Sequence, residues 1–167
     1  PTIKANEGRK KLLEGKINAF VLKPLRRKEL YEALNTVLLQ PEDSTEKASF
    51  DEIEAKVEPD ESRPLPSSES LPELNLLLVD DVEANRKVVE LFLKDSKIHI
   101  YTAADGQEAV DLFTANEYDL VLMDMEMPVL DGHEATRRIR KWEKENSTYH
   151  VPIIALTAHA FTEHKQK

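Results

Sequence analysis

Along much of the chain, short apolar runs alternate with longer stretches in which apolar positions recur every three or four residues. Leu74 to Val79, Ile98 to Thr102, Leu120 to Met123 and Pro152 to Leu156 are of the first kind. Runs this short and this uniformly apolar predict strands covered on both faces, as in a parallel sheet. Glu83 to about Lys94, Gly106 to Ala115 and about Gly132 to Glu145 have helical spacing. Ala84, Val88, Leu91 and Phe92 are expected on the inward side of the first of these, and Ala135, Ile139 and Trp142 on that of the third. Regular alternation of strand and helix predicts right-handed crossovers and an α/β fold built on a doubly wound parallel sheet.

The first forty positions repeat this texture in miniature. Glu7 to Leu13 is helix-like with Gly15 as its stop. Ile17 to Leu22 reads as a short strand ending at Lys23-Pro24, and Arg26 to about Leu39 as a helix with Leu30, Leu34, Val37 and Leu38 on one face. The block is too small to bury a core of its own and is expected to pack on something else. Pro41 to Pro72 differs in kind: prolines punctuate it, serines cluster at Ser67, Ser68 and Ser70, and ten acids face Lys47, Lys56 and Arg63, a local balance of −7. Such a composition does not offset the entropy of ordering, so a flexible acidic linker is expected, with at most a transient helix from Phe50 to Val57. The organisation expected is therefore 1–40, a helix–strand–helix block; 41–72, an acidic Pro/Ser-rich linker; and 73–167, a truncated α/β domain of four strands. Because the chain opens on Pro1 and not Met, a piece of a longer protein is expected.

Composition narrows the classes. With 40% hydrophobic and 33% charged residues, no stretch nears the roughly 20 apolar residues of a membrane span, and no apolar h-region follows the charged start. The absence of cysteine excludes disulfides and thiolate chemistry, and a cytoplasmic setting is expected. A net charge of −9 argues against nucleic acid as the main partner, since phosphate binding needs clustered Lys and Arg.

Against that background, carboxylates at strand ends carry the candidate chemistry. Asp80 and Asp81 follow Leu74 to Val79, and Asp124 follows Leu120 to Met123. In a doubly wound sheet these strands are neighbours and the three acids converge. Like charges that close raise one another's pKa unless a cation neutralises them. A hard divalent ion with oxygen ligands, Mg²⁺, is the natural partner. Thr157 adds a hydroxyl on the same rim and Lys23 an ammonium. Acids, metal, hydroxyl and lysine together suit phosphoryl transfer, with Asp124 as nucleophile. The plain alternatives are an Asp pair that caps a helix, Phe20 as a core residue and Lys23-Pro24 as a simple junction. His99, His133, His150, His159 and His164 lack metal-ligand spacing, and no G-x-G-x-x-G follows the first strand of the alternating region.

The stretches LLLVDD, LVLMDMEMPVLDG and PIIALTA, in this order, resemble the response-regulator receiver domain of hybrid histidine kinases over about residues 73 to 167. INAFVLKPLRRKELYEALNTVL resembles the final strand and helix of the same domain. The resemblance implies a flavodoxin-like fold, Asp124 as phosphoacceptor, and Asp80, Asp81 and the backbone carbonyl of Glu126 around Mg²⁺. It also implies Thr157 as switch hydroxyl, Lys23 as phosphate-contacting lysine and Phe20 as switch aromatic, with the Glu126 acid able to alter the lifetime of the phosphorylated state. The implied partners are a histidine kinase or phosphotransfer domain that donates from phosphohistidine, and the other domains of a parent kinase; neither membrane nor nucleic acid is expected in this stretch.

The pieces stand in an unusual order, lysine strand before acidic strands. Either the chain joins the tail of one receiver to most of the next, or the leading block completes the trailing one in permuted order, in which case Lys23 must lie beside Asp124. No kinase ATP site occurs in this stretch, so the enzymatic role expected is limited to a receiver assisting its own phosphorylation and dephosphorylation. Two rivals are a Mg²⁺-dependent aspartate-nucleophile phosphatase and a degenerate receiver that only docks.

Overall fold

The structure, a computed structural model, describes residues 17–39 and 71–158. The helix expected at Glu7 to Leu13, the body of the linker with its transient helix, and everything after Ala158 lie outside the described residues. Within them run β1 (Ala19–Leu22), α1 (Arg27–Leu39), β2 (Leu74–Val79), α2 (Glu83–Leu93), β3 (Ile98–Ala103), α3 (Gly106–Ala115), β4 (Leu120–Asp124), α4 (Gly132–Asn146) and β5 (Ile153–Thr157). The strands form one parallel five-stranded sheet in the order β1-β5-β4-β2-β3.

Alternation along each strand sorts the apolar residues into two cores. Leu76, Leu78, Leu120, Leu122, Ile154 and Leu156 point to one face, where α1 and α2 cover them with Leu30, Tyr31, Leu34, Val89 and Leu93. Leu77, Val79, Val121, Met123, Ile153 and Ala155 point to the other, beneath Ala109 and Phe113 of α3 and Ala135 and Ile139 of α4. This is why the strands read as continuous apolar runs: each position is covered from one side or the other.

The leading block finds its partner here. β1 pairs with β5 as an edge strand, in the register Ala19↔Ile154, Phe20↔Ala155, Val21↔Leu156 and Leu22↔Thr157. Val21 of β1 and Leu30, Tyr31 and Leu34 of α1 are buried in the first core, and the Tyr31 hydroxyl donates to the Phe92 carbonyl at 2.9 Å. Each such side chain gains about 1.5–3 kcal/mol on full burial, so the docking is substantial. The chain thus builds one flavodoxin-like sheet in permuted order.

Two expectations fail in detail. On α2 the buried residues are Val89 and Leu93, while Val88 is 37% and Leu91 59% exposed and Ala84 faces outward. The helix is turned so that Asn85, Val89 and Leu93, four apart, form the inward stripe, with Asn85 at the end nearest the acids. Phe20 is not a core residue; it is 52% exposed, since it alternates out of phase with Val21. Among the described residues no helix is long and apolar enough to cross a membrane.

Candidate functional site

The chain leaves β2 for β3 on one side and then crosses back to β4 on the other, so the carboxyl ends of β2 and β4 flank the topological switch point where open α/β sheets bind ligands. Asp80 follows the last residue of β2 and Asp124 is the last residue of β4. Both are buried, whereas the neighbouring Asp81 is exposed. One carboxylate oxygen from each of Asp80, Asp81 and Asp124 falls within 4.8 Å of the others. Lys23, just past β1, closes the cluster: its Nζ donates to Asp124 Oδ2 at 2.8 Å and lies 3.0 Å from Asp80 Oδ2. Its backbone N–H donates to the Thr157 carbonyl at 2.8 Å, extending the β1–β5 pairing to the rim.

Each acid is fixed by local donors. Asp80 Oδ1 accepts from the Val82 N–H at 2.9 Å, Asn85 Nδ2 reaches both carboxylate oxygens at 3.2 Å, and Arg86 donates to the Asp80 carbonyl. Asp124 Oδ1 accepts from the Glu126 N–H at 3.0 Å, and the Met125 N–H donates to Leu156 at 3.0 Å, continuing the sheet by one bond. The loop beyond is tightly folded. A Cβ on Gly132 would stand 2.1 Å from the Asp124 carbonyl oxygen, so only glycine lets α4 start there. Val129 takes a positive φ of 68°, and the Leu130 N–H reaches back to the Pro128 carbonyl at 2.9 Å, a strained three-residue turn.

Electrostatics follow from this packing. Burial pushes the Asp124 carboxyl above its ordinary value, and the Asp80 charge adds to that; the Lys23 ammonium and the Glu126 N–H oppose the shift without cancelling it. For Lys23 burial is the largest influence and favours loss of the proton, but the combined pull of Asp124 and Asp80 outweighs it and the pKa rises. Lys23 is therefore a held cation. Three carboxylates facing one ammonium leave an excess of negative charge, and the donor set is all oxygen, which suits a small hard divalent ion.

Of the residues singled out in the sequence, Asp80, Asp81, Asp124 and Lys23 meet in one small volume. Thr157 ends β5, the strand between β1 and β4, with Leu22 opposite it on one side. Phe20 lies opposite Ala155. Glu126 turns its backbone N–H to Asp124 while its side chain is exposed. Asn85 and Arg86 were not foreseen; their signal was position, one turn into the helix that follows the acidic pair. The sequence marks Asp131-Gly132 as the turn that closes the loop after Asp124; the close approach of Gly132 to the Asp124 carbonyl is what the structure adds.

With this geometry established, likeness to known proteins becomes informative. A family model described as the response regulator receiver domain matches residues 76–167, a span that leaves out β1 and α1. Sensor protein GacS of Pseudomonas syringae pv. syringae is 42% identical over 91 residues, covering 54% of this chain and 10% of that protein. Hybrid signal transduction histidine kinase B of Dictyostelium discoideum is 43% identical over 100 residues, 55% of this chain and 5% of that one. The chain thus spans a tenth or less of these relatives. Among solved structures, the receiver domain of the histidine kinase CKI1 from Arabidopsis thaliana, complexed with Mg²⁺, is 35% identical with a TM-score of 0.52, covering 56% of this chain and 74% of that one.

Proposed function

We propose, for a chain that belongs to the response regulator receiver domain family, that Asp124 accepts a phosphoryl group from a phosphohistidine in a two-component phosphorelay. An Asp124 carboxylate oxygen attacks phosphorus, the N–P bond to the donor imidazole breaks with its electron pair going to nitrogen, and the product is an aspartyl phosphate. The observation that carries this reading is the Lys23 ammonium set between Asp124 and Asp80 at the switch point, at 2.8 and 3.0 Å. Such a group lowers the energy of charge that develops on a transferring phosphoryl group, and it needs no reorganisation to do so.

Mg²⁺ fits the all-oxygen set, and Asp80, Asp81, Asp124 and the Glu126 carbonyl are the residues that would hold it; bound there, it would neutralise phosphoryl oxygens. The CKI1 complex with Mg²⁺ supports the choice of ion. The chain's own residues do the remainder. Val82 and Asn85 orient Asp80, the Glu126 N–H orients Asp124, and Thr157 and Lys23 meet the new negative charge, with Phe20 repacking as the β5 rim adjusts. The donor in this reading is a histidine kinase or phosphotransfer domain, and other domains of a parent kinase receive the change. Residues 1–40 correspond to the last part of a receiver, 41–72 to a linker and 73–167 to the remainder, which together make one acceptor module working in a cytoplasmic setting.

The test is incubation of the chain with Mg²⁺ and a small acyl phosphate, followed by location of the label by mass spectrometry. Stoichiometric, acid-stable, base-labile label on Asp124 is expected, and Asp124→Asn should carry none. Label on another residue would sink the assignment, and sustained turnover of a phosphate ester would make the chain a phosphatase instead.

A further inference from the structure

Lys23 serves the site only if β1 lies in one register, and β1 is an edge strand of 4 residues. Apolar alternation does not fix that register. A slip of one residue would turn Val21 outward and is penalised, but a slip of two would keep Ala19 and Val21 inward while carrying Lys23 roughly 6–7 Å along the sheet. Contacts of 2.8 and 3.0 Å would not survive it. The docking of α1 restrains β1 from one end, and a polar contact at the other end can tell the registers apart directly.

Asn18 does so in the structure. Its backbone N–H donates to the Ile153 carbonyl at 2.8 Å, and its side-chain Oδ1 accepts the Ile153 N–H at 3.0 Å. One residue therefore grips both polar groups of Ile153. The same Oδ1 accepts from Arg140 Nη2 at 3.3 Å; since both partners are donors, the amide oxygen and not its nitrogen must face them. Arg140 is itself fixed. Its Nη1 donates to the Val151 carbonyl at 2.7 Å and to Glu143 Oε2 at 2.8 Å, while Glu143 Oε1 accepts the Val151 N–H at 2.9 Å. The Arg140 and Glu143 side chains are 8% and 4% exposed. This clamp ties α4, the start of β5 and the start of β1 together at the rim opposite the acids.

We propose that Asn18, oriented by Arg140, is a positioning residue that selects the β1 register in which Lys23 reaches Asp124 and Asp80. The proposal rests on the phosphoacceptor reading for one of its two measurements only. In the full chain, Asn18→Leu removes the acceptor and Asn18→Asp keeps it. Hydrogen exchange should show the Lys23 amide losing protection by at least about tenfold in Asn18→Leu and keeping it in Asn18→Asp, with the amides of β2 and β4 unchanged in both. The rate of Asp124 labelling should fall by about tenfold or more in Asn18→Leu, as misplacement of a catalytic group predicts. It should fall no further when Asn18→Leu is added to Lys23→Ala, because the two act as a unit. Unchanged Lys23 protection, equal loss in β2 and β4, or a full additional loss in the Lys23→Ala background would each overturn the proposal. If the parent chain took no label, the phosphoacceptor reading would fail, and the exchange measurement alone would still decide the register.

Discussion

The two rims of the sheet each carry a polar cluster beside the apolar core, and they are built on opposite principles. At the carboxyl-end rim, Asp80, Asp81 and Asp124 face one ammonium, that of Lys23. At the other rim, Arg140 and Glu143 pair with one another and bond to Val151 and Asn18, and His150 Nδ1 stands 3.4 Å from Glu143. A balanced cluster whose donors and acceptors are matched has nothing left to bind and serves packing. An unbalanced one keeps unspent charge and suits a cation. Excess charge at a strand end, and not burial of charge as such, separates a site from a fastener.

Stability should break the symmetry most visibly. Removing one partner of a buried, hydrogen-bonded ion pair costs about 3–5 kcal/mol, so Glu143→Ala should lower the urea midpoint strongly. Asp124→Asn should cost less than about 1 kcal/mol without metal, or stabilise, because a carboxyl held above its ordinary pKa has a charged form that the fold disfavours relative to the unfolded chain. Comparable losses in the two variants would erase the distinction. Metal provides the next contrast: Mg²⁺ at about a hundred times its dissociation constant should stabilise the chain by about 2.7 kcal/mol. That gain should persist in Glu143→Ala and vanish in Asp80→Asn, as read by thermal unfolding with and without the ion. The smallest effect concerns the loop between β4 and α4. Val129→Gly relieves a positive φ at an exposed β-branched residue and should stabilise by about 1 kcal/mol; a measured loss would show that the Val129 side chain contributes contacts that outweigh the strain.

Much of this was legible before any coordinates. Leu120 to Met123 could be read as a doubly covered strand because all of its residues are apolar, and Asp124 as its exit because the run stops there. The phase of α2 was not legible. Of the expected stripe only Phe92 packs against the core, while Ala84, Val88 and Leu91 are exposed; Asn85 and Arg86 engage Asp80, an interaction between a helix start and a strand end that spacing does not reveal. Arg140 and Glu143 drew no notice in the sequence, where an i, i+3 pair on a charged helix has no distinguishing mark; residues 148–152 pass over them and they are buried. The relation of β1 to β5 stood open between two arrangements because local pattern says nothing of which edge a strand joins. The Lys23–Asp124 contact belongs to the permuted arrangement.

That contact also has a kinetic side. Lys23 and Asp124 are 101 positions apart in the chain, and Asn18 and Ile153 135, whereas α2, β3, α3, β4, α4 and β5 each follow the preceding element closely. Closing so long a loop has an entropic cost that must be met before the edge strand returns any contact energy. Docking of β1 and α1 is thus the step of greatest sequence separation, and it is the one that brings the ammonium to the acids. Until it arrives, the four later strands can be in place while the chemistry is not.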